Sequence, residues 1–108
     1  LQFVSPSERE ELIAKVCASL GDGGVLVLSE KIAISDQEQE ITFLKLHEKF
    51  KQENGYSLLE IDQKRKAIEQ VLKTETEHEH LQRLKRVGFR AIYKFFQNFN
   101  FASFLAIK

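Results

Sequence analysis

Arg65 is the residue whose type and position most suggest chemistry. It lies in the segment from Tyr56 to Leu72, whose apolar residues recur at helical spacing on one side: Leu58, Ile61, Ile68 and Leu72. Arg65 occupies the position between Ile61 and Ile68, so a permanent cation interrupts an apolar helix surface. A buried arginine without an anion costs several kcal/mol, roughly 3 or more. The pattern therefore predicts that Arg65 binds a carboxylate, to which a guanidinium can donate two parallel hydrogen bonds.

The residues alone leave the identity of that carboxylate open. Glu69 and Asp62 lie on the same helical segment, and either could form a structural ion pair with Arg65. Structural ion pairs outnumber functional ones, so the pattern by itself favours this interpretation.

The histidines and the single cysteine do not form a recognisable catalytic or metal site. His78 and His80 lie in the run Glu77 to His80, and residues two apart on a helix do not face each other. This run is predicted to be a solvated first helical turn, where the helix dipole favours acidic residues. His47 has no partner at ligand spacing, and Cys17 is predicted to be a small core residue. We predict no metal, and the sequence identifies no catalytic residue.

Composition bounds the size and class of the protein. The 108 residues suffice for one compact domain, and 16 basic residues balance 16 acidic ones. This balance argues against direct binding of nucleic acid, which requires a basic surface. One cysteine permits no internal disulfide, which favours a reducing cytoplasm. No apolar run approaches the roughly 18 residues of a membrane span.

Capping signals predict four helices. Three segments match the capping-box pattern at a helix start: Ser5–Glu8, Ser35–Glu38 and Ser57–Glu60. Either Thr74 or Thr76 can begin the fourth helix. Residues that favour a helix C-terminus follow the first, second and fourth helices: Gly21, Asn54-Gly55 and Gly88.

Three segments are predicted to be strands. The continuous apolar run from Val25 to Glu30 is typical of a strand covered on both sides in a parallel sheet. Alternating residues predict two further strands, Phe89 to Phe96 and Phe99 to Ile107, which form an antiparallel hairpin around Gln97-Asn98. The aromatic residues of this hairpin are predicted to be core, in preference to a platform for stacking bases.

Two observations predict that the chain is part of a longer protein. The chain contains no methionine and opens with Leu1, in a stretch that is typical of the end of a preceding helix or strand. The strand that begins at Val25 needs a neighbour on each side, and the hairpin supplies only one. We therefore expect another strand from sequence that precedes Leu1.

The order of these elements and several local motifs resemble a known family. The motifs are "LQF…PSER", "GG-V-LVLSEK", "F-K-ENGYS-LEI-QKR" and "VGF…FFQ-FNF-S". They are similar to the carboxy-S-adenosylmethionine synthases, which have the class I fold of S-adenosylmethionine-dependent methyltransferases. The resemblance extends from Leu1 to Lys108, and its most specific parts are Asn54 to Arg65 and Phe99 to Phe101.

The resemblance implies an α/β fold, the C-terminal half of a Rossmann-like class I methyltransferase. Residues 1–108 would form the C-terminal portion of one S-adenosylmethionine-binding domain, with a helical insertion at about 36–72. The three strands would be the fifth, sixth and seventh of that fold, and Phe99 to Ile107 would lie between the other two. The glycine-rich cofactor loop of such folds would precede Leu1, and no GxGxxG motif occurs in this chain.

The resemblance also implies an activity. Family members convert S-adenosylmethionine and prephenate to carboxy-S-adenosylmethionine and phenylpyruvate. They act as homodimers in the cytoplasm, without a membrane, and their product serves a second enzyme that carboxymethylates tRNA wobble uridine. In the family, an arginine of the helical insertion reaches across the dimer and binds the added carboxylate. Arg65 matches that position, so the resemblance reverses the preference for a structural ion pair.

Two other functions remain open at this stage. A methyltransferase of the same fold could act on tRNA or on a small molecule. The helical insertion could also serve only for dimerisation, in a module without catalysis. The cofactor of a plain methyltransferase has no carboxylate on its sulfonium methyl group and needs no cation there, so the role of Arg65 would distinguish the synthase from a methyltransferase.

Overall fold

The chain folds as an α/β protein with a mixed sheet. The computed structural model describes residues 1–108, except for the side chain of Gln70. Its elements follow one another in this order: α1 (Pro6–Ser19), β1 (Val25–Ala33), α2 (Gln37–Glu53), α3 (Leu58–Val71), β2 (Glu75–Thr76), α4 (Glu77–Val87), β3 (Ala91–Asn98) and β4 (Phe101–Ile107). Among the described residues, no helix has the length and apolar character needed to cross a membrane. The α/β class and the order of the predicted elements are confirmed, and β2 adds a fourth strand that we did not predict.

The sheet order is β2-β1-β4-β3, so the last strand lies in the interior of the sheet. β4 pairs antiparallel with β1 on one side and with β3 on the other, as expected from the resemblance. The parallel partner β2 covers only Ile32 and Ala33 on the other edge of β1. The hairpin turn lies at Phe99 and Asn100, two residues later than predicted, and Phe99 adopts a left-handed φ of 51°.

β1 is covered on one side only, so the prediction of a strand buried on both sides is wrong for this chain. Its exposure alternates along the strand, with Val25 48% and Val27 56% exposed. The reason is coverage: in this chain α1 and α4 pack on one face of the sheet, and a strand with one covered face alternates between buried and exposed residues.

The hydrophobic core lies where α1 and α4 pack against one face of the sheet. Its buried residues come from both helices, from β1 and β4, and from the start of the hairpin: Ile13, Cys17, Ile32, Leu84, Phe89, Ala102, Phe104 and Ala106. The prediction that Cys17 is a core residue is confirmed. The prediction that the hairpin aromatics are core holds for Phe89 and Phe104. It is wrong for four others, which are 47% to 58% exposed on the opposite face or at the edge: Tyr93, Phe95, Phe96 and Phe101.

Several capping predictions are confirmed, and of the two candidates for the start of α4 the structure uses Thr76. The Ser57 hydroxyl accepts a hydrogen bond from the Glu60 amide, and Thr76 forms a reciprocal capping box with Glu79. Gly88 ends α4 in the left-handed conformation, with a φ of 112° that only glycine adopts readily. Asn54 ends α2, as predicted.

One other capping prediction is wrong, and one holds only in part. α2 is capped by Asp36, whose carboxylate accepts from the Gln39 amide 2.7 Å away, and Ser35 lies one residue too early. Ser5 is the N-terminal cap of α1 and Pro6 its first residue, as predicted, but the Ser5 side chain makes no capping hydrogen bond. Gly21 directly follows Leu20, the C-terminal cap of this helix. Aspartate and serine cap helices about equally well, so their types do not distinguish two neighbours such as Ser35 and Asp36. The packing of the helix that follows decides which of the two becomes the cap.

The chain buries two arginines that the sequence analysis overlooked, and both bind Glu75. Arg9 is 1% exposed and Arg83 is 6% exposed. Each donates to a different carboxylate oxygen of Glu75. Arg9 also donates to three backbone carbonyls: Val4 at 2.9 Å, Gln2 at 3.0 Å and Lys73 at 2.7 Å. A sequence signal existed, since Arg9, Ile13 and Cys17 recur every four residues on one side of α1.

Burial acts to raise the pKa of the Glu75 carboxyl, but the hydrogen bonds from Arg9 and Arg83 outweigh it. The pKa therefore lies below the ordinary value of 4.5. A carboxyl with a lowered folded pKa stabilises the fold above its unfolded pKa, and that stabilisation is lost as the pH falls through the folded value. The buried ion pair should thus contribute at neutral pH and fade in acid.

We predict that Arg9→Ala lowers the free energy of unfolding by about 3–5 kcal/mol, because the substitution leaves buried carbonyls and part of Glu75 without a donor. Urea unfolding at pH 7 followed by circular dichroism measures this change. Arg86→Ala is the matched control, because Arg86 forms an exposed pair with Glu10 and should have little effect. The difference between wild type and Arg9→Ala should shrink below pH 4.5. An effect of Arg9→Ala no larger than that of Arg86→Ala would contradict the prediction.

Candidate functional site

Arg65 lies on α3, on the side of that helix that faces α2. Its Nη1 donates to the Glu48 Oε1 on α2 at 2.5 Å, and its Nη2 donates to the Asp62 Oδ1 at 3.2 Å. The side chain is 39% exposed, so the expectation of a fully buried cation is wrong. Pairing with Asp62 was one of the two local alternatives, and Glu69 is not the partner that the structure gives. Glu48 was missed because it lies on another helix.

The apolar stripe of α3 is only partly buried. Ile61 is 5% exposed, whereas Leu58, one turn earlier, is 65% exposed. Ile68 and Leu72 are half-buried and line a cavity together with Arg65. The stripe therefore borders an opening instead of a closed core, and this explains how a cation can lie within it.

This cavity, which we call the α2–α3 cavity, has a volume of about 140 Å³ and lies between α2, α3 and the sheet. Its apolar wall consists of Leu44, Ile61, Ile68, Leu72 and Phe101. Its basic residues are Lys31, His47, Lys51, Lys64 and Arg65. Among the described residues that line it, Glu48 is the one carboxylate, and it already forms an ion pair with Arg65. The cavity thus combines an apolar wall with surplus positive charge.

The titration of two basic residues reflects this surplus. Burial lowers the pKa of His47, and the nearby Lys51 and Lys31 lower it further, against the opposing effect of Glu48. Burial also lowers the pKa of Lys51, as do Lys64 and Lys31. His47 and Lys51 therefore lie in a positive potential, and an anion would stabilise their charged forms.

His47 is held in place by aromatic contacts. Its ring centroid lies 6.4 Å from that of Phe99 and 6.4 Å from that of Phe101. These contacts join α2 to the turn and the start of β4. His47, for which the sequence predicted no role, therefore forms part of the candidate site.

The other two histidines, His78 and His80, lie outside this cavity. His78 is exposed on the first turn of α4, as predicted. His80 is 2% exposed and packs against Phe104, with ring centroids 5.9 Å apart, so the prediction of a solvated turn is wrong at this position. Neither ring nitrogen of His80 has a hydrogen-bond partner among the described atoms. Burial lowers its pKa, although Glu75 acts in the opposite direction.

The part of the chain that the structure describes contains no group of three or more potential metal ligands.

Comparisons with known proteins give the class to which the chain is similar. No family model matches it. Curated relatives match all 108 residues, and each is a carboxy-S-adenosyl-L-methionine synthase. The identity is 49% to the protein of Hahella chejuensis, 50% to that of Trichlorobacter lovleyi and 52% to that of Shewanella sp. strain ANA-3. The chain spans 44% of the length of each of these relatives. The resemblance found in the sequence is therefore confirmed.

We predict that Arg65→Ala lowers the free energy of unfolding by less than about 1 kcal/mol, because half-exposed ion pairs contribute little to stability. Urea unfolding at pH 7 measures this change, with Arg9→Ala as the reference for a buried arginine. A loss as large as that of Arg9→Ala would show that Arg65 is a structural residue, and would remove the reason to assign it a ligand.

Proposed function

We propose that the full-length protein containing this chain is a carboxy-S-adenosyl-L-methionine synthase. It would convert S-adenosylmethionine and prephenate to carboxy-S-adenosylmethionine and phenylpyruvate, which makes it a transferase. The ring carboxylate of prephenate moves to the sulfonium methyl carbon, and the ring hydroxyl leaves as water with a methyl proton, so the reaction balances. The observation that carries this proposal is 46% to 52% identity to such synthases over every residue of the chain.

The proposal includes the organisation of the domain. Residues 1–108 would be the C-terminal portion of a Rossmann-like methyltransferase fold, with α2 and α3 as its helical insertion at about 36–72. The sheet order β1-β4-β3 supports this assignment, since it fits the fifth, seventh and sixth strands of that fold. The exposed apolar face around Val25 and Val27 supports it too, because a further layer of the same protein would cover it.

Arg65 is proposed to bind the carboxylate of carboxy-S-adenosylmethionine. Its present partners, Glu48 and Asp62, are 33% and 40% exposed. Ion pairs of this exposure are worth about 0–1 kcal/mol, so exchanging them for a ligand carboxylate costs little. A guanidinium then gives two parallel hydrogen bonds to the carboxylate on the former methyl carbon, a group that plain S-adenosylmethionine lacks at that position.

We further propose that the protein is a homodimer and that Arg65 acts in the pocket of the neighbouring subunit. Large apolar side chains on α2 and α3 are 45% to 66% exposed and could form an interface: Ile41, Leu46, Phe50, Leu58 and Leu59. Isologous contacts of this kind join most homodimers. The cellular setting proposed is the cytoplasm, without a membrane or direct contact with nucleic acid. The product would serve a tRNA carboxymethyltransferase.

We predict that Arg65→Ala in the full-length protein lowers the affinity for carboxy-S-adenosylmethionine by about 1.5–3 kcal/mol, the range for a hydrogen bond to a charged group. The affinity for plain S-adenosylmethionine should stay nearly the same. Isothermal titration calorimetry with both cofactors measures this difference. Arg65→Lys should restore only part of the affinity, because a point charge cannot reproduce the two-pronged geometry. An equal loss for both cofactors would instead favour a plain methyltransferase of the same fold or a structural role.

Mixed dimers test whether Arg65 acts across the subunit interface. One subunit carries Arg65→Ala, and the other is disabled in its own cofactor-binding loop. If Arg65 acts in trans, the first subunit keeps an intact pocket and receives Arg65 from its partner, so synthase activity returns. Activity that stays absent in the mixture, while both parents are folded dimers, would place Arg65 in its own subunit's pocket. A protein that binds neither cofactor would leave only a non-catalytic dimerisation module.

A further inference from the structure

Three lysines of the α2–α3 cavity have no counter-ion in the described part of the chain. Lys31, Lys51 and Lys64 all line the cavity, yet none forms an ion pair with a described carboxylate. Other lysines of the chain do find one, such as Lys66 with Asp62 at 3.0 Å. Lysines on a surface usually point away from one another. These come from three different elements, β1, α2 and α3, and converge on one opening.

The cations act on one another and on the histidine beside them. After burial, the largest influence on the pKa of Lys51 is Lys64, followed by Lys31, and both lower it. The opposing influence of Glu48 is smaller, and Glu48 is already bound to Arg65. An anion between these residues would relieve the repulsion.

The walls of the cavity indicate what kind of anion it can hold. Leu44, Ile61 and Phe101 provide an apolar surface beside the cations. A dry apolar cavity of about 150 Å³ accommodates a benzene ring, and this cavity measures about 140 Å³. A second cavity of about 350 Å³ lies beside it along α2 and α3: it shares His47, Lys51, Ile61 and Lys64, and Glu60 adds one carboxylate to its lining. The combined space suits a six-membered ring that carries carboxylates.

We propose that the α2–α3 cavity binds the carboxylate donor, a small dicarboxylate with a carbon ring, through Lys51 and Lys64. The ring would pack on Ile61 and Phe101, and the charged groups would lie between the lysines. This inference rests on the proposed function for the choice of donor, prephenate. Arg65 lines the same cavity, so the donor would lie beside the residue proposed to hold the acceptor's new carboxylate. Carboxyl transfer requires donor and acceptor to be adjacent.

The test uses the full-length protein with the double variant Lys51→Gln/Lys64→Gln. Glutamine has a helix propensity close to that of lysine and removes the charge, with a side chain one atom shorter. We expect the Kd for prephenate, measured by calorimetry, to rise about 100-fold, since each lost charge-assisted hydrogen bond is worth about tenfold or more. The KM for prephenate should rise in parallel, while the KM for S-adenosylmethionine changes less than about twofold.

The matched control is Lys45→Gln/Lys49→Gln, which removes the same charge from α2 outside the cavities that the structure shows. Both residues are exposed. The control should bind prephenate as the wild type does. Equal effects of the two double variants would mean that only the general charge of the helices matters, and would overturn the proposal. Thermal unfolding of both variants shows whether the fold is intact, and single Lys51→Gln and Lys64→Gln variants replace the double one if it unfolds.

Failure of this inference is distinguishable from failure of the proposed function. If the wild type makes carboxy-S-adenosylmethionine and the cavity variant does so with an unchanged KM for prephenate, the function stands and the binding site is wrong. If the wild type makes no product, the proposed function fails. Prephenate binding that depends on Lys51 and Lys64 would still support the cavity as a dicarboxylate site. Weakening of inorganic phosphate binding alone, without an effect on prephenate, would show a general anion site and overturn the proposal.

Discussion

Glu75 joins α1 and α4 through the two buried arginines that it binds, and the position of the helical insertion depends on this junction. β2, which contains Glu75, follows α3 after a three-residue link and leads directly into α4. Arg9 also holds the carbonyl of Lys73, just before β2. The network therefore fixes the point at which the chain returns from α2 and α3 to the sheet. The α2–α3 cavity, which lies between these helices and the sheet, keeps its shape only if that point is fixed.

The chain uses its arginines in two physically different ways. Arg9 is enclosed and has five hydrogen-bonding groups of which four meet acceptors, so removing it would leave desolvated partners behind. Arg65 is half-exposed and shares carboxylates that water also reaches. Such a pair contributes little to stability, but it leaves the guanidinium able to exchange one carboxylate for another. This difference in burial makes Arg65, and not Arg9, suited to a ligand.

Surplus charge and exposed apolar surface occur together on the helical insertion. The cations of the cavity lie next to apolar walls, and the outer faces of α2 and α3 expose further large apolar side chains. Neither feature stabilises an isolated fold, because like charges repel and exposed apolar surface gains nothing from folding. Both are accounted for if the insertion faces a ligand and a second subunit.

The sequence by itself determined the local structure and the family. The cap at Ser57 and the glycine end at Gly88 depend on residues within one helical turn, so spacing alone located these two helix ends and narrowed the start of α4 to Thr74 or Thr76. The motifs from Asn54 to Arg65 indicated the relatives that the comparisons later confirmed, and with them the central place of β4. Tertiary structure decided what lies far apart in sequence. It brought Arg9 to Glu75, Arg65 to Glu48 and three lysines to one cavity, and it buried His80 while leaving Tyr93 and Phe96 exposed. The physical reason is that capping and periodicity are local interactions, whereas burial and charge pairing depend on which elements pack together.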